Sequence, residues 1–124
     1  MSNKIIFITV LIISFLQILH IFEEIALNAF DLTKGKNPRG KYLRIASVLV
    51  TLNFVVLFLL YLEYVIAYYF AFYTVIISAG NMIAHILLFR RHRDKLGYAL
   101  PSSIPLGLAG FFLLFCLLKY FFIA

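Results

Sequence analysis

His20, Glu23 and Glu24 stand at positions i, i+3 and i+4 of an otherwise apolar stretch, which puts one imidazole and two carboxyls on a single helical face. Gln17 and Asn28 continue that stripe to either side. Thr74, Ser78, Asn81 and His85 form a second stripe with spacings of four, three and four, again one face of a helix. Two imidazoles and two carboxylates suit a divalent transition metal such as zinc, iron or manganese. They equally suit a proton relay. A third option needs no metal: one carboxyl held neutral beside an ionised neighbour acts as general acid while the other activates water. In the metal version His20, Glu24 and His85 are the ligands. Glu23 and Glu24 are the candidate catalytic carboxyls, and Gln17, Asn28, Asn53, Ser78 and Asn81 are candidates to hydrogen-bond around them.

The elements that would carry these stripes follow from composition. The chain has 124 residues, 65% hydrophobic and 13% charged, against roughly half apolar and a quarter charged in an ordinary soluble domain. Crossing the hydrocarbon core takes about 20 mainly apolar residues. The expected fold is therefore an all-α membrane protein, one four-helix transmembrane bundle over residues 1–124, with spans at about 4–29, 43–62, 65–89 and 101–123. The segment Asp31 to Lys41, with Gly35, Pro38 and Gly40, breaks the first pair of spans, and Arg90 to Lys95 with Gly97, Pro101 and Pro105 breaks the last. Between spans two and three only Glu63 among Tyr61, Tyr64, Tyr68 and Tyr69 marks a turn. Length settles that one, because a single helix from Leu43 to Phe89 would be about 70 Å long, twice a bilayer.

The net charge of +6 comes from basic residues gathered in two blocks, Lys34, Lys36, Arg39, Lys41 and Arg44, then Arg90, Arg91, Arg93 and Lys95. That is not the basic face with interleaved aromatics of a nucleic-acid binder. Four spans place both blocks on one side of the membrane, and the positive-inside rule makes that side cytoplasmic, with both termini outside. Lys4 and the run Ile5 to Leu19 have the outline of a cleaved signal, but Ala26 and Ala29 lack the A-x-A spacing, so the first helix is expected to stay. Cys116, the single cysteine, lies in an apolar run and reads as a buried thiol.

Depth is what should bring the stripes together. Glu24 precedes Asp31 by seven residues and His85 precedes Arg90 by five, so both sit about 10 Å inside the same edge. Asn53 and Thr51 of span two lie at comparable depth. Helices one and three are expected to touch, running antiparallel, so that the acidic pair and the second imidazole share a dry pocket. Ionisable groups at membrane depth cost roughly 2.5–3.5 kcal/mol each on insertion scales, so they usually face the bundle interior and mark function. The bland readings are that Thr51, Thr74 and Ser78 bond to backbone or across helices, and that Glu23, Glu24 and His20 form a purely structural network. His92 reads as solvated loop, Glu63 as interfacial and Lys119 as snorkelling outward.

The run His20-Ile21-Phe22-Glu23-Glu24 in a first transmembrane helix resembles the HXXEE family of small bacterial integral membrane proteins. The likeness runs from Leu19 to Gly107 and includes Asn81-Met82-Ile83-Ala84-His85 before the basic stretch. Tyr98-Ala99-Leu100-Pro101 departs from that family's Tyr-x-Pro-Gly-like segment, with the proline one residue late and Ser102 in place of the glycine. The resemblance implies a bacterial cytoplasmic (inner) membrane and no established activity. Intramembrane glutamyl proteases also pair two glutamates with histidines, but they carry an Arg where Asn28 stands and are much longer. The leading expectation is a metal-dependent membrane hydrolase acting on a lipid-like substrate. The alternatives are a small proton- or cation-coupled transporter or channel component, which would need to form a homo-oligomer to make a pore, and a structural protein with a buried polar network.

Overall fold

The structure, a computed structural model, describes residues 3–26, 38–91 and 100–123. They form four helices, α1 (Asn3–Ala26), α2 (Pro38–Tyr61), α3 (Ile66–Arg91) and α4 (Leu100–Phe122), and no strand among the described residues. Every one is long and apolar enough to cross a membrane. Large apolar side chains cover the outside on all helices, Phe15, Phe58, Ile76 and Phe115 among them. A soluble monomer does not expose contiguous apolar surface on that scale. The molecule is a multi-pass membrane protein.

One boundary differs from the sequence expectation in a way that matters. The sequence pattern places Pro38 in a loop extending to Lys41, but α2 begins at Pro38 itself. Proline suits the first helical position, where its missing N–H is one of the unpaired ones and its φ is already helical. Arg39, Lys41 and Tyr42 are therefore helical, and Tyr42 faces α1. The other bounds agree with expectation within a few residues, and residues 27–29 of span one lie outside the described residues.

The α2–α3 turn ends without the glycine that usually marks such a stop. Tyr64 N–H donates to the Leu59 carbonyl at 3.1 Å and Glu63 N–H to the Leu60 carbonyl at 3.0 Å, the pairing of a Schellman cap. Glu63 takes the left-handed position, with φ 59°.

Around the bundle α1 packs on α2 and α4, and α3 packs on α2 and α4, while α1 and α3 meet diagonally over a short stretch. In lipid the helices gain little from hiding apolar surface, so close packing and interhelical hydrogen bonds hold them together. The α3–α4 contact shows the packing. A Cβ at Gly107 would overlap the Met82 side chain, and one at Gly110 would overlap Ser78 Oγ. Further along, Tyr68 stacks on Tyr120 with ring centroids 4.2 Å apart. As the α3 number falls from 82 to 68 its α4 partner rises from 107 to 120, so this pair is antiparallel. Around the central axis Ile6, Val10 and Ile13 meet Leu106, Leu113 and Leu117 in the buried core.

Candidate functional site

The α1 stripe reaches its target because Asn53 and His85 fix where α1 sits. Near mid-bundle Asn53 Nδ2 donates to Gln17 Oε1, and Asn53 Oδ1 accepts from Thr74 Oγ1 at 3.1 Å. These three residues, one from each of α1, α2 and α3, are all buried. From that rung toward the loop end, α1 advances from Gln17 to Glu24 and α3 from Thr74 to His85. Helices one and three do touch, but they run parallel, correcting the antiparallel expectation. The reason is topological: each is antiparallel to the single helix between them.

At the loop end three atoms converge. His20 Nε2 lies 2.8 Å from Glu24 Oε1, His85 Nε2 lies 2.7 Å from the same oxygen, and the two Nε2 atoms are 3.1 Å apart. The rings meet edge to face, centroids 4.6 Å apart. Both imidazoles are buried and Glu24 is nearly so. Tyr42 O–H donates to the other carboxylate oxygen, Glu24 Oε2. His20 Nδ1 is 2.7 Å from Ser102 Oγ, in the first turn of α4. All four helices thus supply a group.

The geometry bears on what can sit at the convergence. A single proton on each Nε2, both donated to Glu24 Oε1, would satisfy the triangle. So would a cation. Three protein ligands at about 2.0–2.1 Å from zinc, with a fourth position open, is the catalytic zinc pattern, and two histidines with one glutamate is one of its known ligand sets. Tetrahedral ligands at that radius stand about 3.3 Å apart, so the present 2.7–3.1 Å triangle would need to open by only a few tenths of an ångström. Ser102 completes this picture: with Nδ1–H donated to its hydroxyl, His20 turns its Nε2 lone pair inward, the arrangement that metal-bound histidines use.

Not every expected residue joins. Glu23, the neighbour of Glu24, is half-buried and takes no part in the cluster contacts. Asn53 donates to Gln17 and accepts from Thr74, so neither Gln17 nor Asn53 lies around the cluster. Ser78 donates to the Thr74 carbonyl of its own helix at 2.7 Å, and Thr51 likewise to the Ser47 carbonyl at 2.7 Å. Asn28 lies outside the described residues, as do His92, Arg93 and Lys95. Asn81 sits one turn before His85, and Asn81 Oδ1 and His85 Nδ1 are both buried without a hydrogen-bond partner. Asn81 Oδ1 is an acceptor, and His85 Nδ1 is a donor in the tautomer whose Nε2 carries no proton.

Tyr42 and Ser102 are the members that the sequence reading missed. Tyr42 lay hidden among the charges of the first basic block, and Ser102 entered only as the residue in place of a glycine. Their signal was position: both fall within the first turns of helices that start at the same end of the bundle as Glu24 and His85. No family model, curated protein or solved structure matches this chain.

Proposed function

We propose that this protein is a membrane-embedded, metal-dependent hydrolase, with His20, Glu24 and His85 holding a divalent transition metal. The observation that supports this is the meeting of three ligand atoms from two helices within a span of a few ångströms, in a chain where burying each such group is costly. A metal there would polarise an ester, amide or phosphodiester and acidify a water. Tyr42 holds Glu24 by its second oxygen, Ser102 fixes the His20 ring, and Glu23 is the carboxylate left to accept a proton. The substrate is taken as lipid-like because the helices that carry these groups are each long and apolar enough to cross a membrane. On this reading the basic end, with Arg39, Lys41, Arg44 and Arg90, is cytoplasmic, both termini are outside, and the chain is a single domain of the HXXEE kind in a bacterial cytoplasmic membrane.

Elemental analysis of the purified protein tests the proposal. About one equivalent of zinc, iron or manganese is expected in the wild type, falling to background in His20→Ala, His85→Ala and Glu24→Gln. A wild type free of metal after loading with each ion removes this reading.

A proton or cation pathway is the second reading, and what favours it is the buried polar column from the cluster inward through Ser78, Thr74, Asn53, Gln17 and Ser14. Proton flux into liposomes that depends on Glu24 would move the choice to transport.

A further inference from the structure

Beside the cluster, α1 and α2 part to leave a groove of about 330 Å³ lined by Ile18, Ile21 and Phe22 on one side and Leu43, Ala46 and Val50 on the other. Its two hydroxyls, Ser47 and Thr51, each donate to a carbonyl of their own helix at 2.7 Å, so the groove is apolar in effect. The volume is within the range of small-molecule sites. Phe22 is 64% exposed and Leu43 41%, so the opening faces acyl chains.

Two hydrogen bonds between the same helices bracket this groove. Gln17–Asn53 closes its inner end and Glu24–Tyr42 its outer end. The lining residues fall between those rungs on both helices. The lining stops at Phe22 and Leu43, close in sequence to the Glu24–Tyr42 pair, so the outer end of an occupant comes to lie near that carboxylate. One helical turn further out, Arg39 precedes Leu43 by four residues, on the same face of α2, and it is exposed. From inside to outside the order is apolar slot, cluster carboxylate, guanidinium.

We propose that this groove holds the alkyl chain of a single-chain amphiphile with an anionic headgroup, the chain between the two rungs and the headgroup at Arg39. This rests on the hydrolase reading and names its substrate class: the linkage between chain and headgroup comes to lie beside Glu24 and Tyr42. A second groove of about 310 Å³ between α2 and α3, lined by Leu52, Val55, Val56, Phe70 and Tyr73, supplies the contrast. It has similar size, and neither groove has a charged residue in its lining, but the second also has none within a helical turn of its lining along α2 or α3.

The chain contains no tryptophan, so one substitution makes a site-specific fluorophore. Phe22→Trp reports on the first groove and Phe70→Trp on the second, both at exposed positions. The probes are lysophosphatidic acid and lysophosphatidylcholine with the same nitroxide-labelled chain, added to phosphatidylcholine nanodiscs. The anionic probe is expected to quench Phe22→Trp saturably, at about fivefold lower mole fraction than it quenches Phe70→Trp, and Arg39→Gln should abolish its advantage over the zwitterionic probe. Val50→Phe should weaken both probes at Phe22→Trp alone. Equal quenching of the two reporters, or a headgroup preference that survives Arg39→Gln, overturns the proposal. The outcome is separable from that of the metal assay. Groove binding in a protein that holds no metal leaves this inference standing and removes the hydrolase reading, whereas bound metal without groove binding does the reverse.

Discussion

Two polar assemblies lie one above the other in the bundle, and they differ in how their valences close. Gln17, Asn53 and Thr74 are neutral, and the bonds that join them each run from one donor to one acceptor on a neighbouring helix. The assembly is linear and complete, as expected of a device that pins three helices in register. His20, Glu24 and His85 do something else: three atoms able to bind the same cation point at a common centre, and the groups behind them, Ser102 and Tyr42, hold two of the three in place. Polar burial alone therefore says little about function. Convergence on a point, with the ligands oriented from behind, is what separates a candidate centre from a structural rung.

Removing a group behind the cluster should break this distinction most visibly if it is misplaced. Ser102→Ala leaves the three ligands intact and is expected to lower metal affinity about 10- to 100-fold, the usual effect of losing the partner of a metal-bound histidine. Because Ser102 is only half-buried, the unfolding midpoint should move little. Competition with a chelator of known affinity measures the first quantity and unfolding in mixed micelles the second. Unchanged affinity with lowered stability would make the cluster a second structural rung.

The converse change is in the rung itself. Asn53→Leu removes both interhelical bonds, which average about 0.6 kcal/mol each and reach about 1.7 in membrane proteins, and it strands the Gln17 amide. A loss of about 1–2 kcal/mol in reversible unfolding is expected, with metal stoichiometry retained. Loss of metal from Asn53→Leu would show that the two assemblies act as one.

Much of this arrangement was legible in the sequence, and for identifiable reasons. Helical periodicity alone put His20 with Glu24 and Asn81 with His85 on their faces, and the two basic blocks fixed the number of spans and hence which helix ends share a side. What periodicity could not supply was pairing between helices. Depth alone places Asn53 around the cluster, yet rotation of α2 aims it at Gln17 and Thr74. Tyr42 falls between the loop that ends at Lys41 and the span that starts at Leu43, because the charges around it mask the helix-starting role of Pro38. The parallel relation of α1 and α3 was misjudged, although an odd number of crossings between them requires it. The α2–α3 stop was the faintest of the turns because its cap has a glutamate where the usual signal is glycine.

That cap offers the smallest and cleanest change, at the far end of the bundle from the cluster. A non-glycine residue in the left-handed region is strained by roughly 1–2 kcal/mol, and Glu63 sits there with φ 59°. Its side chain is exposed, so replacing it removes no buried contact. Glycine relieves the strain, and its greater freedom in the unfolded chain takes back part of the gain. Glu63→Gly is thus expected to raise stability by about 0.5–1 kcal/mol. Metal content and groove binding should be unchanged, because neither the rung nor the cluster draws a residue from this turn. A stabilised variant with altered metal affinity would mean that the closing of this end is coupled to the spacing of His20, Glu24 and His85 at the other, and the bundle would then have to be treated as one cooperative unit rather than a scaffold with a site at its end.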